Sequence, residues 1–384
     1  MSFDRTPERR KPEQVAWSAI TILAAKTNER LGLDRQFAID EQQLMLLERC
    51  RDILRAAPQP PEDLLAWIDH TLKQPRPTMQ WDVLETVAHQ LSPYVSVGEV
   101  NYRAPNGTEN VDMANINLAS RRLEQVPTRE ILTFADSHTA TAYTLRAAER
   151  MGWNLNQTAV LSFDRHADYL PDDPNAVVKA TVISDILQHT RIPAAAVVGE
   201  YYHGDGAKER TDGKRIDFLP GEAVIKRRQP DHQVFSTWLD QLFTEWQEQG
   251  ITSIYTTVDL DALRLYQQGY TATDYNPMGM ISKLLVNHTL ENMLASEDSK
   301  NPEALLRRMQ FALDTRELSG IPASFVGRAL DLAKQKGLTI GVQGGRGRKK
   351  LIGDVVEYTV PDNEQRTAKI AKALLHRLAS AAQH

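Results

Sequence analysis

The chain has 384 residues, of which 41% are hydrophobic and 25% are charged, and its formal net charge is −5. This composition is ordinary for a globular protein with a sizeable core, and the length suits one large α/β domain. The mild negative charge does not favour nucleic-acid binding. A single cysteine, Cys50, excludes an internal disulfide, and the sequence predicts neither a signal peptide nor a membrane span. We therefore expect a soluble, cytoplasmic protein.

Residues 12 to about 92 carry apolar side chains at helical spacing. The pattern predicts a first helix from Pro12 to Gly32 and a second from Gln36 to Ala57, with two shorter helices before residue 93. Nothing in this region has the spacing of a catalytic motif. We interpret residues 1–93 as a helical N-terminal extension.

From residue 94 onward, short apolar and β-branched runs alternate with helical segments. The predicted strands are 131–135, 158–163, 194–198, 251–258, 338–342 and 355–360. Such alternation is typical of βαβ units, so we expect a mostly parallel sheet between two layers of helices, a three-layer α/β/α fold. We assign residues 94–384 to this domain, with a helical insertion at about 284–337.

Three of the predicted strands run directly into residues that can bind a metal ion. The motifs are Asp136-Ser137-His138, Asp164-Arg165-His166-Ala167-Asp168 and Asp259-Leu260-Asp261. Each motif alone is compatible with a capping aspartate, a packed histidine or a solvated loop. Ligands of parallel sheets bind at the carboxyl ends of strands, and carboxylates mixed with imidazole suit Mn, Fe or Zn better than Ca. Together the motifs therefore predict a two-metal site. Its six candidate ligands are His138, Asp164, His166, Asp168, Asp259 and Asp261.

These motifs resemble those of the ureohydrolases, the family of arginase, agmatinase and formiminoglutamase. That family carries, in the same order, Gly-Gly-Asp-His-Ser, Asp-Ala-His-x-Asp, Ser-x-Asp-x-Asp and a late Glu-Val-Asn-Pro. The third pattern is matched here by Thr257-Val258-Asp259-Leu260-Asp261, and the late block is matched by Asp354-Val355-Val356-Glu357-Tyr358-Thr359-Val360-Pro361. The resemblance covers about 130–170, 251–280 and 338–382, and it implies an arginase-like fold with two Mn²⁺ ions per chain.

The resemblance also implies a role for each matching residue. One metal would be held by His138, Asp164, Asp168 and Asp259, and the other by Asp164, His166, Asp259 and Asp261. Glu357 would bind the guanidinium of the substrate through a charge-assisted pair. The metals would activate water for attack on the guanidinium carbon, and Asp168 would relay a proton to the leaving amine, so that an amine and urea are formed.

The sequence departs from the family pattern in several places. The glycine pair before Asp136 is missing, and Ser137 is inserted before His138. Enzymes that act on free arginine carry an Asn-x-His-Gly stretch whose histidine shuttles protons, but the corresponding residues here, 175–180, contain no histidine. Glu200 and His203, which follow strand 194–198, could bind substrate or replace that shuttle, or they could simply lie in a surface loop.

The missing stretch favours a substrate other than free arginine. We expect a peptide arginase, which converts arginine to ornithine within a ribosomal precursor peptide. Three alternatives remain open: a hydrolase of a small guanidino compound such as agmatine, a deacetylase-like metal amidohydrolase, and a non-catalytic metal-binding scaffold. The expected partner is an arginine-containing peptide or a small guanidino compound, with no nucleic acid and no membrane, and a homo-oligomer is left open.

Overall fold

The structure, a computed structural model, describes most of the chain. The described residues are 15–27, 41–73, 81–100, 111–169, 181–200, 208–209, 213–226, 229–265, 270–271, 284, 289–313, 321–344, 349–357 and 366–383. Their helices are α1 (Glu41–Arg55), α2 (Glu62–Lys73), α3 (Trp81–Leu91), α4 (Val111–Gln125), α5 (Thr139–Arg150), α6 (Val182–His189), α7 (Gly221–Val224), α8 (His232–Glu248), α9 (Thr289–Ala295), α10 (Pro302–Leu313), α11 (Ser324–Gln335) and α12 (Arg366–Ala382). Within this part of the chain, no helix is long and apolar enough to span a bilayer.

The strands fall into one large sheet and two small ones. They are β1 (Ile20–Thr27), β2 (Tyr94–Val100), β3 (Glu130–Ala135), β4 (Thr158–Phe163), β5 (Ala194–Val198), β6 (Lys208–Glu209), β7 (Arg215–Leu219), β8 (Ile225–Lys226), β9 (Gln229–Pro230), β10 (Ser253–Asp259), β11 (Leu263–Leu265), β12 (Tyr270–Thr271), β13 (Ile321–Pro322), β14 (Thr339–Ile340), β15 (Val342–Gln343) and β16 (Lys350–Val356). The large sheet has the order β2-β1-β3-β16-β10-β4-β5-β7-β6, with β14 beside β10 and β15 beside β16.

The large sheet is mostly parallel, as the sequence predicted. From β2 to β7 every neighbouring pair in this order is parallel, whereas the short strands β6 and β15 run antiparallel to β7 and β16. The strands β3, β16, β10, β4 and β5 are consecutive neighbours, so their carboxyl ends lie side by side. The predicted metal-binding motifs follow three of these five strands.

Helices cover both faces of this sheet. On one face α3, α8, α11 and α12 pack against strand residues such as Phe134 and Phe163. On the other face α4, α5 and α6 pack against residues such as Val160 and Val197. Since parallel strands are buried on both faces, their sequences are apolar at successive positions and do not alternate. The predicted three-layer α/β/α fold is confirmed.

The predicted helix from Pro12 to Gly32 is wrong. Residues Ile20–Thr27 form β1, which pairs in parallel with β2 on one side and β3 on the other. A short apolar run that is buried on both faces cannot be told from a buried helix by periodicity alone. The sheet that we assigned to residues 94–384 therefore begins earlier in the chain, although the described elements α1, α2 and α3 are helical as expected.

The predicted insertion at 284–337 packs against the N-terminal helices in its first half. A separate hydrophobic cluster joins Leu47 and Cys50 of α1 to Met293 of α9 and Met309 of α10. The Sγ atom of Cys50 lies 3.3 Å from the Sδ atom of Met309. The two additions to the α/β domain thus form one helical unit, whereas α11 belongs to the layer that covers the sheet.

Candidate metal centre

The imidazole of His138 lies at the centre of a buried acidic cluster. His138 precedes α5 just after β3, Asp164 follows β4, and Asp259 is the last residue of β10. The Nδ1 atom of His138 is 3.0 Å from Asp164 Oδ2, 2.9 Å from Asp168 Oδ2 and 3.7 Å from Asp259 Oδ2. All four side chains are buried. The cluster consists of the four residues that the sequence predicted as ligands of one metal.

The atoms that this cluster presents fit a divalent metal ion. His138, Asp164 and Asp168 each offer one ligand atom, and these atoms lie within 4.8 Å of one another. His138 Nδ1 and Asp164 Oδ2 approach to 3.0 Å, yet within the described residues neither atom makes a contact with hydrogen-bond geometry. Buried polar atoms are costly unless they are hydrogen-bonded or bound to a metal. A nitrogen ligand among carboxylate oxygens is a donor set that Mn, Fe and Zn accept.

The electrostatics of the cluster favour bound protons when no metal is present. Burial lowers the pKa of His138, but the contacts with Asp164 and Asp168 outweigh it and hold that pKa well above its usual 6.5. Burial, and then the charge of Asp164, raise the pKa of Asp168 to about 7 despite the opposing effect of His138. A metal ion that binds to these groups would compete with the protons.

Two residues of the site have a backbone conformation that is rare for residues other than glycine. The φ angle is 48° at Asp168 and 57° at Glu357. Left-handed conformations of this kind carry strain and are concentrated at functional sites. Glu357 directly follows β16, and its Oε1 atom accepts a hydrogen bond of 2.9 Å from the backbone N–H of His138. This bond fixes the Glu357 carboxylate beside the cluster.

The end of β5 lies close to the end of β4. Gly199 has a φ of 105°, and a Cβ atom added there would lie 3.1 Å from the backbone oxygen of Asp164. A larger residue would therefore disturb the segment that positions Asp164. Glu200, a predicted substrate-binding residue, follows Gly199, and its side chain is fully buried and does not belong to an exposed loop.

Of the two remaining predicted ligands, His166 and Asp261, the structure describes only the side chain of His166. The side chain of His166 is about half exposed, with Nδ1 3.7 Å from Asp164 Oδ1. Asp261 lies in a short 3₁₀ helix, Leu260–Ala262, and its side chain is outside the described part of the structure. His203 and residues 175–180 are also outside it. The structure thus brings four of the six predicted ligands together, and the ligands specific to a second metal remain a prediction.

Two neighbours of the cluster were given no role in the site from the sequence. The Nε2 atom of His138 is 3.2 Å from the hydroxyl oxygen of Thr257, which lies in β10 two residues before Asp259. Asp354 is a fully buried carboxylate in β16. Burial of a carboxylate in an apolar strand is costly unless the carboxylate has partners. The position of Asp354 within an apolar run of the sequence was therefore the signal that could have pointed to a buried polar contact.

No model of a known protein family matches the sequence, and no curated protein is significantly similar to it. Among solved structures, the chain is similar to proclavaminate amidino hydrolase from Streptomyces clavuligerus, with a TM-score of 0.47 and 13% identity over 97% of this chain and 94% of that one. It is also similar to formimidoylglutamase from Bacillus subtilis (TM-score 0.47, 10% identity, 99% and 95% covered) and to arginase from Bacillus cereus (TM-score 0.46, 12% identity, 93% and 97% covered).

Similarity at this level does not establish an activity for this chain. The TM-scores are below 0.5 and the identities are below 15%. The geometry of the buried cluster and the position of Glu357 therefore carry the functional proposal.

Proposed function

We propose that this protein is a metal-dependent hydrolase that cleaves a guanidino group to an amine and urea. The observation that carries the proposal is the convergence of His138, Asp164, Asp168 and Asp259 at the ends of parallel strands, with the Glu357 carboxylate held beside them. Such a reaction requires side chains that bind the metal and a carboxylate that pairs with the guanidinium of the substrate.

The proposed cofactor is a pair of Mn²⁺ ions. His138, Asp164, Asp168 and Asp259 would hold one ion, and Asp164 and Asp259 would be shared with a second ion bound also by His166 and Asp261. When bound, the two ions would activate a water molecule and stabilise the negative charge that develops on the substrate.

Glu357 and Asp168 have separate roles in the proposed reaction. The Glu357 carboxylate would pair with the planar guanidinium and orient it, because its position is fixed by the His138 backbone. The oxygen of water would bond to the guanidinium carbon while the bond from that carbon to the substituted nitrogen breaks. Asp168 would relay the two water protons in turn to the leaving nitrogen, so that an alkylammonium ion and neutral urea are released.

Arginine within a peptide is the proposed substrate. Free arginine brings an ammonium and a carboxylate that need charged partners in the site, and the stretch that free-arginine enzymes use has no recognisable counterpart at 175–180. In a peptide both groups are already neutral amides. The helical unit of α1, α2, α9 and α10 also adds surface outside the regions that resemble the ureohydrolases.

The test is incubation of Mn²⁺-loaded protein with a single-arginine peptide, free arginine, agmatine and an acetyl-lysine peptide at equal concentration. We expect urea release and loss of CH2N2 from the arginine peptide, faster than from either small molecule. Equal or faster turnover of arginine or agmatine would overturn the peptide assignment. Acetate release without urea would support a deacetylase-like enzyme, and no product from any substrate would refute catalysis.

A further inference from the structure

A groove of about 460 Å³ lies between α11 and α12, two of the helices that cover the large sheet. Its floor is apolar and is formed by Gly327 of α11 and by Ile370, Ala373 and Leu374 of α12. The three α12 residues are neighbours on one face of that helix. Gly327 keeps the groove open, since a Cβ atom there would lie 3.1 Å from the Nε atom of Arg377. The groove therefore has room for an apolar side chain.

Cationic side chains border this groove. The helix α12 carries four lysine or arginine residues and no acidic residue, although the net charge of the chain is −5. Arg377 forms an ion pair with Asp331 of α11. Arg328 and Lys369 are exposed, and within the described residues neither has a carboxylate partner, since Arg328 donates only to the hydroxyl of Ser236. The rim of the groove thus carries positive charge that no acid of the described chain balances.

The groove begins at the edge of the sheet that carries the metal centre. Ile321 of β13, just before α11, lies 3.4 Å from the position of a Cβ atom added to Gly199, and that position is 3.1 Å from the backbone oxygen of Asp164. Lys350, the first residue of β16, donates a hydrogen bond of 2.9 Å to the backbone oxygen of Ala382, the last residue of α12. The helix α12 therefore runs back along β16, with its first turn toward the carboxyl end of that strand. A peptide in the groove can extend from there to the metal centre.

We propose that this groove binds an acidic segment of the substrate peptide. An apolar side chain of the segment packs on the floor, and its carboxylates lie beside Arg328 and Lys369. The inference rests on the proposed function, because it assigns a second contact to the proposed peptide substrate. A recessed apolar floor between two helices suits the side chains of a peptide, whereas binding to a membrane surface requires an apolar face that enters the lipid. Opposite charges on the groove and the segment also favour their association.

Matched substitutions separate the charge of the groove from its shape. Arg328→Glu reverses the charge at the rim, and Arg328→Lys keeps it. Ala373→Phe fills the floor from an exposed position of α12 without a change of charge. Arg121→Glu is the control, because Arg121 is an exposed arginine of α4, on the opposite face of the sheet. Urea unfolding of each variant shows whether it folds.

The first measurement is the fluorescence anisotropy of a labelled peptide of glutamate and leucine residues without arginine, on protein in EDTA. We expect about tenfold weaker binding for Arg328→Glu and Ala373→Phe, with Arg328→Lys and Arg121→Glu within about threefold of wild type. Equal binding of a peptide with glutamine in place of glutamate, or wild-type affinity in folded Arg328→Glu, would overturn the inference. If Arg328→Glu does not fold, Ala373→Phe decides by the same criterion.

The second measurement is urea release by Mn²⁺-loaded protein from an arginine peptide with and without the acidic segment, joined through a glycine-serine spacer. The segment should lower KM about tenfold without a change in kcat, and Arg328→Glu should remove this difference. Urea release that the segment does not affect would refute only the role of the groove. Peptide binding to the groove without urea release from any peptide would refute the proposed hydrolase and keep the groove as a peptide site. Binding to vesicles of phosphatidylglycerol and phosphatidylcholine, without binding of the acidic peptide, would assign this surface to a membrane and overturn the inference.

Discussion

Replacement of His138 by glutamine tests the charge balance of the cluster in the metal-free protein. The imidazole Nδ1 lies within 3.7 Å of carboxylate oxygens from Asp164, Asp168 and Asp259. Because those contacts hold its pKa well above 6.5, the cluster favours the protonated imidazole, whose positive charge offsets the buried negative charge. Glutamine has a comparable size but no charge. Removal of one partner of a buried ion pair costs about 3–5 kcal/mol.

We expect the loss to be near 3 kcal/mol, because Asp168 can take up a proton and relieve part of the repulsion. Its pKa is already raised to about 7 in the presence of His138. An acid whose pKa is higher in the folded state than in the unfolded state favours folding more as the pH falls. The imidazole of the wild-type protein, whose pKa is also raised on folding, likewise favours folding more as the pH falls. Both proteins should therefore lose stability from pH 5.5 to pH 8, and His138→Gln should be the less stable of the two at both pH values.

The assay is urea unfolding in EDTA at both pH values. His166→Gln is the control, because that histidine belongs to the same motif but is about half exposed, and its loss should change stability by at most about 0.5 kcal/mol. If His138→Gln were as stable as wild type at pH 8, the cluster would not hold the charges that we assign to it.

Two further variants test the substrate site and the sheet beneath it. Glu357→Gln should keep wild-type Mn²⁺ affinity but lose turnover of guanidino substrates by at least about 100-fold, since the amide keeps the shape of the side chain without its charge. Turnover is measured as urea release, and wild-type turnover in this variant would mean that another residue binds the substrate cation. Gly353→Ala should lower the free energy of unfolding by about 1–3 kcal/mol, because the added Cβ would lie 2.4 Å from the backbone oxygen of Thr256 in the neighbouring strand. An unchanged midpoint of urea unfolding would show that β16 can move away from β10 without loss of stability.

The layers of the fold could be predicted from the sequence, but several strands of the sheet could not. Strands 158–163 and 194–198 were predicted with the bounds that the structure has, because turn residues flank each apolar run. The residues of β1 were predicted as helix because their apolar positions fit both the helical and the strand period. β7 was not predicted, since Asp217 interrupts its apolar pattern, although Arg215 pairs with that carboxylate at 2.7 Å.

The metal cluster could be predicted from the residues at strand ends, whereas the contact between the His138 imidazole and the Thr257 hydroxyl could not. His138 departs most from the family pattern, because Ser137 separates it from Asp136, yet its imidazole lies at the centre of the cluster. Thr257 and Asp354 belong to the motifs that resemble the family, but the sequence assigned neither of them a role. The contact between Thr257 and His138 depends on how the segment after β3 meets β10, which a single sequence does not specify.

The most direct test of the metal centre is the Mn²⁺ content of purified protein after loading and desalting, measured for wild type and Asp259→Ala. We predict two Mn²⁺ ions per chain for wild type and loss of tight binding of both ions in the variant, because Asp259 would serve both. Asp52→Ala, which changes an exposed aspartate of α1, should keep both ions. A wild-type protein without bound metal, or full two-metal occupancy in Asp259→Ala, would contradict the assignment.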